Sequence, residues 1–291
     1  MTIYTLGSIN ADHFYRLPHL PQPGETLACS DYSTGLGGKG ANQSVAAARA
    51  GASVVHIGAI GPEGAWMCER LAQFGVDCTH VATLDVPSGH AIINVDAGGE
   101  NSIVIFAGAN RAVTMAQVEV ALAQAEAGDV LLLQNETNLT VETARFAQEQ
   151  GLKVVYSAAP FDAAAVQRIL PFVSLLLVNE GEAAQLRGAL GLPEGRVPVA
   201  DMVTTRGAKD ALWQSRAGAE FAVPAWKVEV RDTTGAGDTF AGYLAAGLSE
   251  GMEPKAAMRM ASAAAALKVT RAGTADAIPA RAEVDDLLKA Q

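Results

Sequence analysis

Positive charge is scarce in this chain. Its 291 residues carry 21 Lys and Arg against 31 Asp and Glu, a formal net charge of −10. Nucleic-acid backbones are gripped by clustered Lys and Arg, so no nucleic-acid partner is expected, and any anionic ligand must be held locally. Cysteine is also sparse. Cys29, Cys68 and Cys78 are too few and too irregularly spaced for a disulfide framework and form no Cys-x-x-Cys pair. The five histidines fall at no His-Glu-x-x-His spacing, which leaves a zinc centre without support. No apolar run is long enough to cross a bilayer, and Met1 to Gly7 lacks a basic start followed by an apolar stretch. The expectation is a cytoplasmic protein with no membrane partner.

What is present is apolar: 49% of the residues are hydrophobic, enough for a large core in one α/β domain with an insertion or in two domains. Short β-branched or leucine-rich runs at Ser53–Ile57, Val130–Leu133, Lys153–Tyr156 and Leu175–Val178 alternate with alanine-rich stretches at Ala41–Ala50, Met115–Ala125 and Thr140–Gln150. That rhythm predicts a mostly parallel sheet covered by helices. Asp12–Ser33 and Ser88–Phe106 break it with polar and apolar alternation and turn signals at Pro21–Gly24 and Ala97–Glu100, so they read as inserted antiparallel hairpins. The expected division is a core of residues 1–9, 34–87 and 107–291 with a β lid of 10–33 and 88–106.

Two glycine-rich segments carry the chemistry. Asp232-Thr233-Thr234-Gly235-Ala236-Gly237-Asp238 precedes an apolar helix pattern formed by Phe240, Leu244 and Leu248. Amides of small residues at a helix N-terminus attract an anion, and an acid there makes most sense as a base facing an attacking hydroxyl. A glycine turn capped by an acid is the plain alternative. The second segment, Gly35-Leu36-Gly37-Gly38-Lys39-Gly40-Ala41-Asn42, matches Gly-x-Gly-x-x-Gly read literally. The dinucleotide fingerprint, however, needs a buried strand directly before it, whereas Thr26–Thr34 is polar, and the Walker A pattern fails because Lys39 is followed by glycine. A turn presenting Lys39 and Asn42 at a helix start remains.

Taken together, Gly37 to Ser44, followed by Gly51 and Gly61, and Asp232 to Asp238 resemble the two signatures of the ribokinase-type, phosphofructokinase-B-like, sugar kinases. Gly7 to Asp12 and Pro23 to Thr26 are similar to the ribokinase branch more than to the fructokinase or adenosine kinase branches. The resemblance spans essentially the whole chain. It implies a three-layer α/β fold with a small β lid, and an ATP-dependent kinase acting on a primary hydroxyl, with D-ribose as the leading substrate. It further implies that Asn10, Asp12, Gly38, Lys39, Asn42 and Glu136 hold the sugar and that Asp238 is the base. The amides of Gly235, Ala236 and Gly237 would stabilise the moving phosphoryl group. Asn179, Thr205, Gly207 and Ser262 would contact the nucleotide, Glu182 would hold Mg2+ through water, and Asp232, Thr234 and Gly273 would bind a monovalent cation such as K+. A homodimer through the lid is expected, because an isolated small sheet is marginal in water. A kinase of another furanose or a nucleoside, a catalytically silent sugar-binding relative and a nicotinamide oxidoreductase are the alternatives.

Five departures qualify the match. Ser157-Ala158-Ala159-Pro160 replaces the more usual Asn-Pro-Ala-Pro, which is expected to loosen the loop near the phosphates. Asp210 stands where a glycine is common and adds negative charge near the nucleotide. Tyr243 replaces a small residue on the catalytic helix, Ala277 stands where a hydroxyl ligand for the cation is common, and Pro193 to Pro198 leaves little room for a covering helix.

Overall fold

Short strands in which every side chain is apolar cannot leave either face to water, and that demand organises the molecule. The computed structural model describes residues 1–192 and 196–290. Along the chain run β1 (Thr2–Leu6), β2 (Asn10–Arg16), β3 (Asp31–Gly37), α1 (Lys39–Arg49), β4 (Ser53–Ile60), α2 (Ala65–Gln73), β5 (Val76–Thr83), β6 (Gly89–Val95), β7 (Asn101–Phe106) and α3 (Met115–Leu122). There follow β8 (Val130–Leu133), α4 (Thr140–Glu149), β9 (Lys153–Ser157), α5 (Ala163–Ile169), β10 (Leu175–Asn179) and α6 (Glu180–Ala189). The chain closes with β11 (Asp201–Thr205), β12 (Asp210–Ser215), β13 (Glu220–Pro224), α7 (Ala236–Ser249), α8 (Pro254–Val269) and α9 (Arg281–Lys289).

Among the described residues, nine strands form one sheet in the order β13-β12-β11-β10-β9-β8-β1-β4-β5. Every pairing from β11 to β5 is parallel, and β12 and β13 extend the sheet antiparallel. Val130 and Leu132 of β8 enter one core while Leu131 and Leu133 enter the other, and Leu175 to Val178 of β10 divide the same way. Helices α1, α2, α7, α8 and α9 cover the first face, α3 to α6 the second. This is the expected three-layer α/β fold. Tyr243 does set the packing of α7: it is fully buried, and its hydroxyl donates to the Pro279 carbonyl at 2.8 Å, which ties α7 to the segment leading into α9.

The hairpin segments meet in a separate four-stranded sheet, β3-β2-β6-β7, in which β2 pairs antiparallel with β3 and parallel with β6. The polar stretch before the glycines thus ends in a strand, but β3 is an exposed edge of the small sheet over Asp31–Gly35 and not a buried core strand. A dinucleotide fingerprint therefore lacks its βαβ context here. On β7, Ile103, Val104, Ile105 and Phe106 are each about half exposed. The expected loss of helix after α6 falls partly on residues 193–195, outside the described residues; Arg196 to Ala200 form no helix.

The strand order also places the site. β1 and β8 are sheet neighbours, yet the chain continues from β1 toward β4 and from β8 toward β9, in opposite directions. Such a switch point opens a crevice beyond the carboxyl ends of the two strands, where ligands of open α/β sheets bind.

Candidate active site

At the switch point the segment after β1 meets the segment after β8. The Ser8 hydroxyl donates to Glu136 Oε2, and the Lys39 amide donates to the same oxygen at 3.0 Å. Asn10 is aimed by a residue that sequence reasoning missed. Asn110 donates from Nδ2 to Asn10 Oδ1 at 2.8 Å and accepts the Ile9 amide at 2.9 Å, which leaves Asn10 Nδ2 as a donor for a ligand. Gly38, with φ of 92°, is the N-cap of α1, so Lys39 opens that helix. Asp12, on β2, is buried. Burial above all, then the neighbouring Glu136 carboxylate, pushes its pKa up to about 7. The Lys39 ammonium is held above its ordinary value by Asp238 foremost and also by Glu136, Glu182 and Asp12, against the cost of burial. One cation is thus shared by four carboxylates, two of them from segments expected on the sugar side.

Asp238 lies in the first turn of α7 and is 7% exposed. Asn42 Nδ2 donates to its Oδ2 at 3.2 Å and Gln43 Nε2 to its Oδ1 at 3.0 Å. Gln134 Nε2 in turn donates to Gln43 Oε1 at 2.7 Å, so the carboxylate is fixed by a chain of amides running back to the end of β8. Asn42 Oδ1 is buried without a partner among the described residues, an acceptor that a bound hydroxyl can satisfy. Gly235 caps α7 with φ of 71°, a conformation that a side chain would strain. The turn opens a fourteen-residue helix whose Ala236 amide donates to the Thr233 carbonyl at 3.2 Å, while the amide of Gly237, one residue on, points from the helix end with no acceptor within the helix.

Beside that helix end lies a cleft of about 540 Å3, lined by Thr205, Gly207, Trp226, Phe240, Ser262 and Val269 among others. Three of the four expected nucleotide contacts, Thr205, Gly207 and Ser262, meet there. Asn179 lies apart from it and, with Glu182, forms a capping box on α6: Asn179 Oδ1 accepts the Glu182 amide at 2.9 Å and Glu182 Oε2 accepts the Asn179 amide at 2.7 Å. The second Glu182 oxygen stays outside the box. Asp210 does not add free charge, because the Arg206 guanidinium pairs with both its oxygens, at 2.5 and 2.7 Å. Trp226 went unnoticed in the sequence and Phe240 read only as part of the apolar helix pattern, because nothing there separates an aromatic of a cleft from one of a core.

Asp232 spends its carboxylate on the loop itself. Oδ1 accepts the Thr234 amide at 2.8 Å and Oδ2 the Gly273 amide at 2.9 Å, which brings the three expected cation-site residues together. A fourth residue stands with them. Lys268 of α8 is fully buried, its Nζ lying 3.7 Å from Asp232 Oδ2, 3.3 Å from the Asp232 carbonyl oxygen and 3.5 Å from that of Arg271.

Comparison with known proteins identifies the family. Residues 2–281 match the pfkB family carbohydrate kinases. The ribokinase of Haemophilus influenzae is 39% identical, covering 99% of this chain and 98% of its own length. The ribokinase of Bacillus subtilis is 35% identical over 98% of this chain and 99% of its own. The structure of Arabidopsis thaliana ribokinase complexed with ribose and ATP superposes with a TM-score of 0.87 at 27% identity, over 99% of this chain and 98% of that one. The chain belongs to the pfkB family of carbohydrate kinases. It is a phosphotransferase with an alcohol group as acceptor.

Two buried groups make opposite pH signatures. Native Asp12 keeps its proton up to about pH 7, whereas an unfolded Asp loses it near 4, so its stabilising contribution fades as pH rises through that window. His56 is buried between the Ser44 hydroxyl and the Gly7 carbonyl, and burial lowers its pKa to about 4. Its contribution is complete above about pH 6.5 and is lost as pH falls toward 4. The two slopes oppose each other between about pH 4 and 6.5. Asp12→Asn should unmask the histidine, tilting stability upward with pH by on the order of a few kcal/mol relative to wild type across that range. Urea denaturation at several pH values reads the tilt; parallel profiles for the two proteins would refute it.

Proposed function

We propose that this protein transfers the γ-phosphoryl group of ATP to the primary hydroxyl of D-ribose, giving ribose 5-phosphate and ADP. The observation that carries the reading is Asp238, a buried carboxylate held by Asn42 and Gln43 at the mouth of an anion-binding helix end. Asn10, Asp12, Gly38, Lys39, Asn42 and Glu136 form its sugar side. A furanose offers vicinal hydroxyls that both donate and accept. Glu136 accepts, Asn10 and Lys39 donate, Asn42 does either, and Asp12, with its pKa about 7, can donate from the neutral form. A sugar lacking one hydroxyl leaves a buried partner unpaired, which is the physical basis for preferring ribose to deoxyribose. The ribokinases at 35–39% identity support the same choice.

In the reaction Asp238 takes the hydroxyl proton as the sugar oxygen forms its bond to the γ-phosphorus and the bond to the β-phosphate oxygen breaks. Asn42 and Gln43 keep the carboxylate aimed at that hydroxyl. The amides of Gly235, Ala236 and Gly237 meet the charge that builds on the phosphoryl oxygens, and Lys39 neutralises it from the sugar side. ATP sits in the cleft against Thr205, Gly207 and Ser262, with Asn179 at its phosphate end. Among the described residues no group of three or more His, Cys, Asp or Glu side chains is placed to hold a metal. The donor set suits an Mg2+ that arrives with ATP and keeps its waters, with the unused Glu182 oxygen as a water-mediated anchor. When bound, it would supply charge neutralisation at the phosphates.

We place the protein in the cytoplasm, where ATP is supplied and where Cys29, Cys68 and Cys78 can stay reduced. The exposed apolar strand β7 favours a homodimer through the small sheet. Val104→Lys should then yield a monomer by light scattering at micromolar concentration; a wild type already monomeric at that concentration would dismiss the dimer.

An ADP-release assay with Mg-ATP and ribose, deoxyribose, fructose, tagatose or adenosine tests the substrate. Ribose should give the highest kcat/KM, and turnover with adenosine or fructose alone would replace this reading. Asp238→Asn preserves shape and removes the proton acceptor, so turnover should fall about 10²–10⁴-fold. Ribose affinity by calorimetry should barely change, as expected when an interaction operates only in the transition state. A folded Asp238→Asn protein at near-normal rate would end the assignment.

A further inference from the structure

The loop that ends in Asp238 is expected, by resemblance, to rest on a monovalent metal cation at Asp232, Thr234 and Gly273. The residues present do not fit one. Lys268 already fills the position with its own charge, in contact with the Asp232 carboxylate and with the Asp232 and Arg271 carbonyl oxygens. Two of those oxygens belong to Asp232, the charged member of the expected cation site, and a second positive charge beside them would be repelled. The side chain has no exposed surface. The side chain of Ala277, also buried, offers a methyl in place of a hydroxyl.

The placement is built by the fold. The amides of Arg231 and Asp232 donate to the Val269 carbonyl at 2.8 and 3.1 Å, which docks the loop on the carboxyl end of α8. Lys268 lies in the last turn of that helix, where the helix dipole favours a cation. Its stem runs beneath the turn at Gly235: a methyl group there would stand 4.0 Å from Lys268 Cε and 3.8 Å from Asn42 Nδ2, the amide that holds Asp238. The ammonium donates to two carbonyl oxygens, one from each segment that frames the loop, and pairs at 3.7 Å with the Asp232 carboxylate.

We propose that the Lys268 ammonium is a covalently tethered substitute for the monovalent cation, positioning the 232–235 loop so that the enzyme works at full rate without K+. Lys268 is a positioning residue. It acts on the amides that receive the phosphoryl group and touches neither substrate. The inference rests on the kinase reading for its rate test alone.

Initial rates with ribose and Mg-ATP should be equal in potassium and tetramethylammonium salts of the same ionic strength. Thermal melting of the protein, which needs no turnover, should also be the same in both. Lys268→Ala opens the cage and should lose about 10-fold or more in kcat with little change in KM, then recover in potassium but not in lithium, as lost preorganisation restored by a ligand requires. Its melting point should rise by roughly 5 °C at saturating potassium, because the ion binds only the folded form. Lys268→Met, which keeps the stem volume, provides the same test should the alanine variant fail to fold, and Lys268→Arg should stay independent of potassium. Potassium activation or stabilisation of the wild type would overturn the proposal, and so would folded alanine or methionine variants with no potassium response in melting. Loss of turnover in every salt with the potassium-dependent melting intact would count against the kinase reading and leave the cation substitution standing.

Discussion

The site depends on how closely α7 can approach α1. A methyl group on Gly242 would stand 2.4 Å from the Gln43 carbonyl oxygen and 2.5 Å from Ala46 Cβ, so only glycine lets the two helix backbones touch at that level. The contact sits one turn past Asp238, and it brings that carboxylate within reach of the consecutive amides of Asn42 and Gln43. A wider crossing would leave a buried carboxylate without donors, which is far costlier than a lost contact in a core. The alanine-rich character of α7 and α8 has the same origin. Helices packed this tightly around a catalytic turn have no room for larger side chains.

The switch point supplies the second half of the geometry. Ser8 after β1 and Glu136 after β8 are 128 residues apart in the chain, and their hydrogen bond closes the crevice between the two strands. Lys39 then finds four carboxylates within its electrostatic reach, from β2, the β8 end, α6 and α7. Its charge offsets the mutual repulsion of the acids gathered there. Asp12, buried on β2, keeps its proton up to about pH 7.

Much of this was legible in the sequence, and the reason is periodicity. The strand cores at 130–133, 154–156 and 175–178 are buried runs of apolar and aromatic residues that could only be covered on both faces, so fold class followed from rhythm alone. The anion loop and Lys39 were readable because glycine has few reasons to cluster. What stayed hidden were polar residues whose roles lie in long-range partners. Asn110, Gln43 and Gln134 look like ordinary turn or helix residues until the fold joins them to Asn10 and Asp238. Lys268 in Ala264-Ala265-Ala266-Leu267-Lys268 reads as a solvated lysine at a helix end, and only the docking of residues 231–232 onto α8 seals it. The capping box of Asn179 and Glu182 carries a further lesson: one pair of side chains can end a helix and still keep an oxygen for another task.

The bonds from Asn42 and Gln43 to Asp238 span 196 and 195 residues. All the groups proposed to grip the sugar are thus translated in the first half of the chain, whereas the proposed base and the amides proposed to receive the phosphoryl group emerge only in the last fifth. During synthesis, β1, β4 and β8 can pair, and Ser8 can find Glu136, before α7 exists. A nascent chain at that stage has most of a binding pocket and no chemistry, and helix α1 presents to water the small-residue face that α7 will later cover. Docking of α7 on α1 is therefore what joins the two halves of the proposed site.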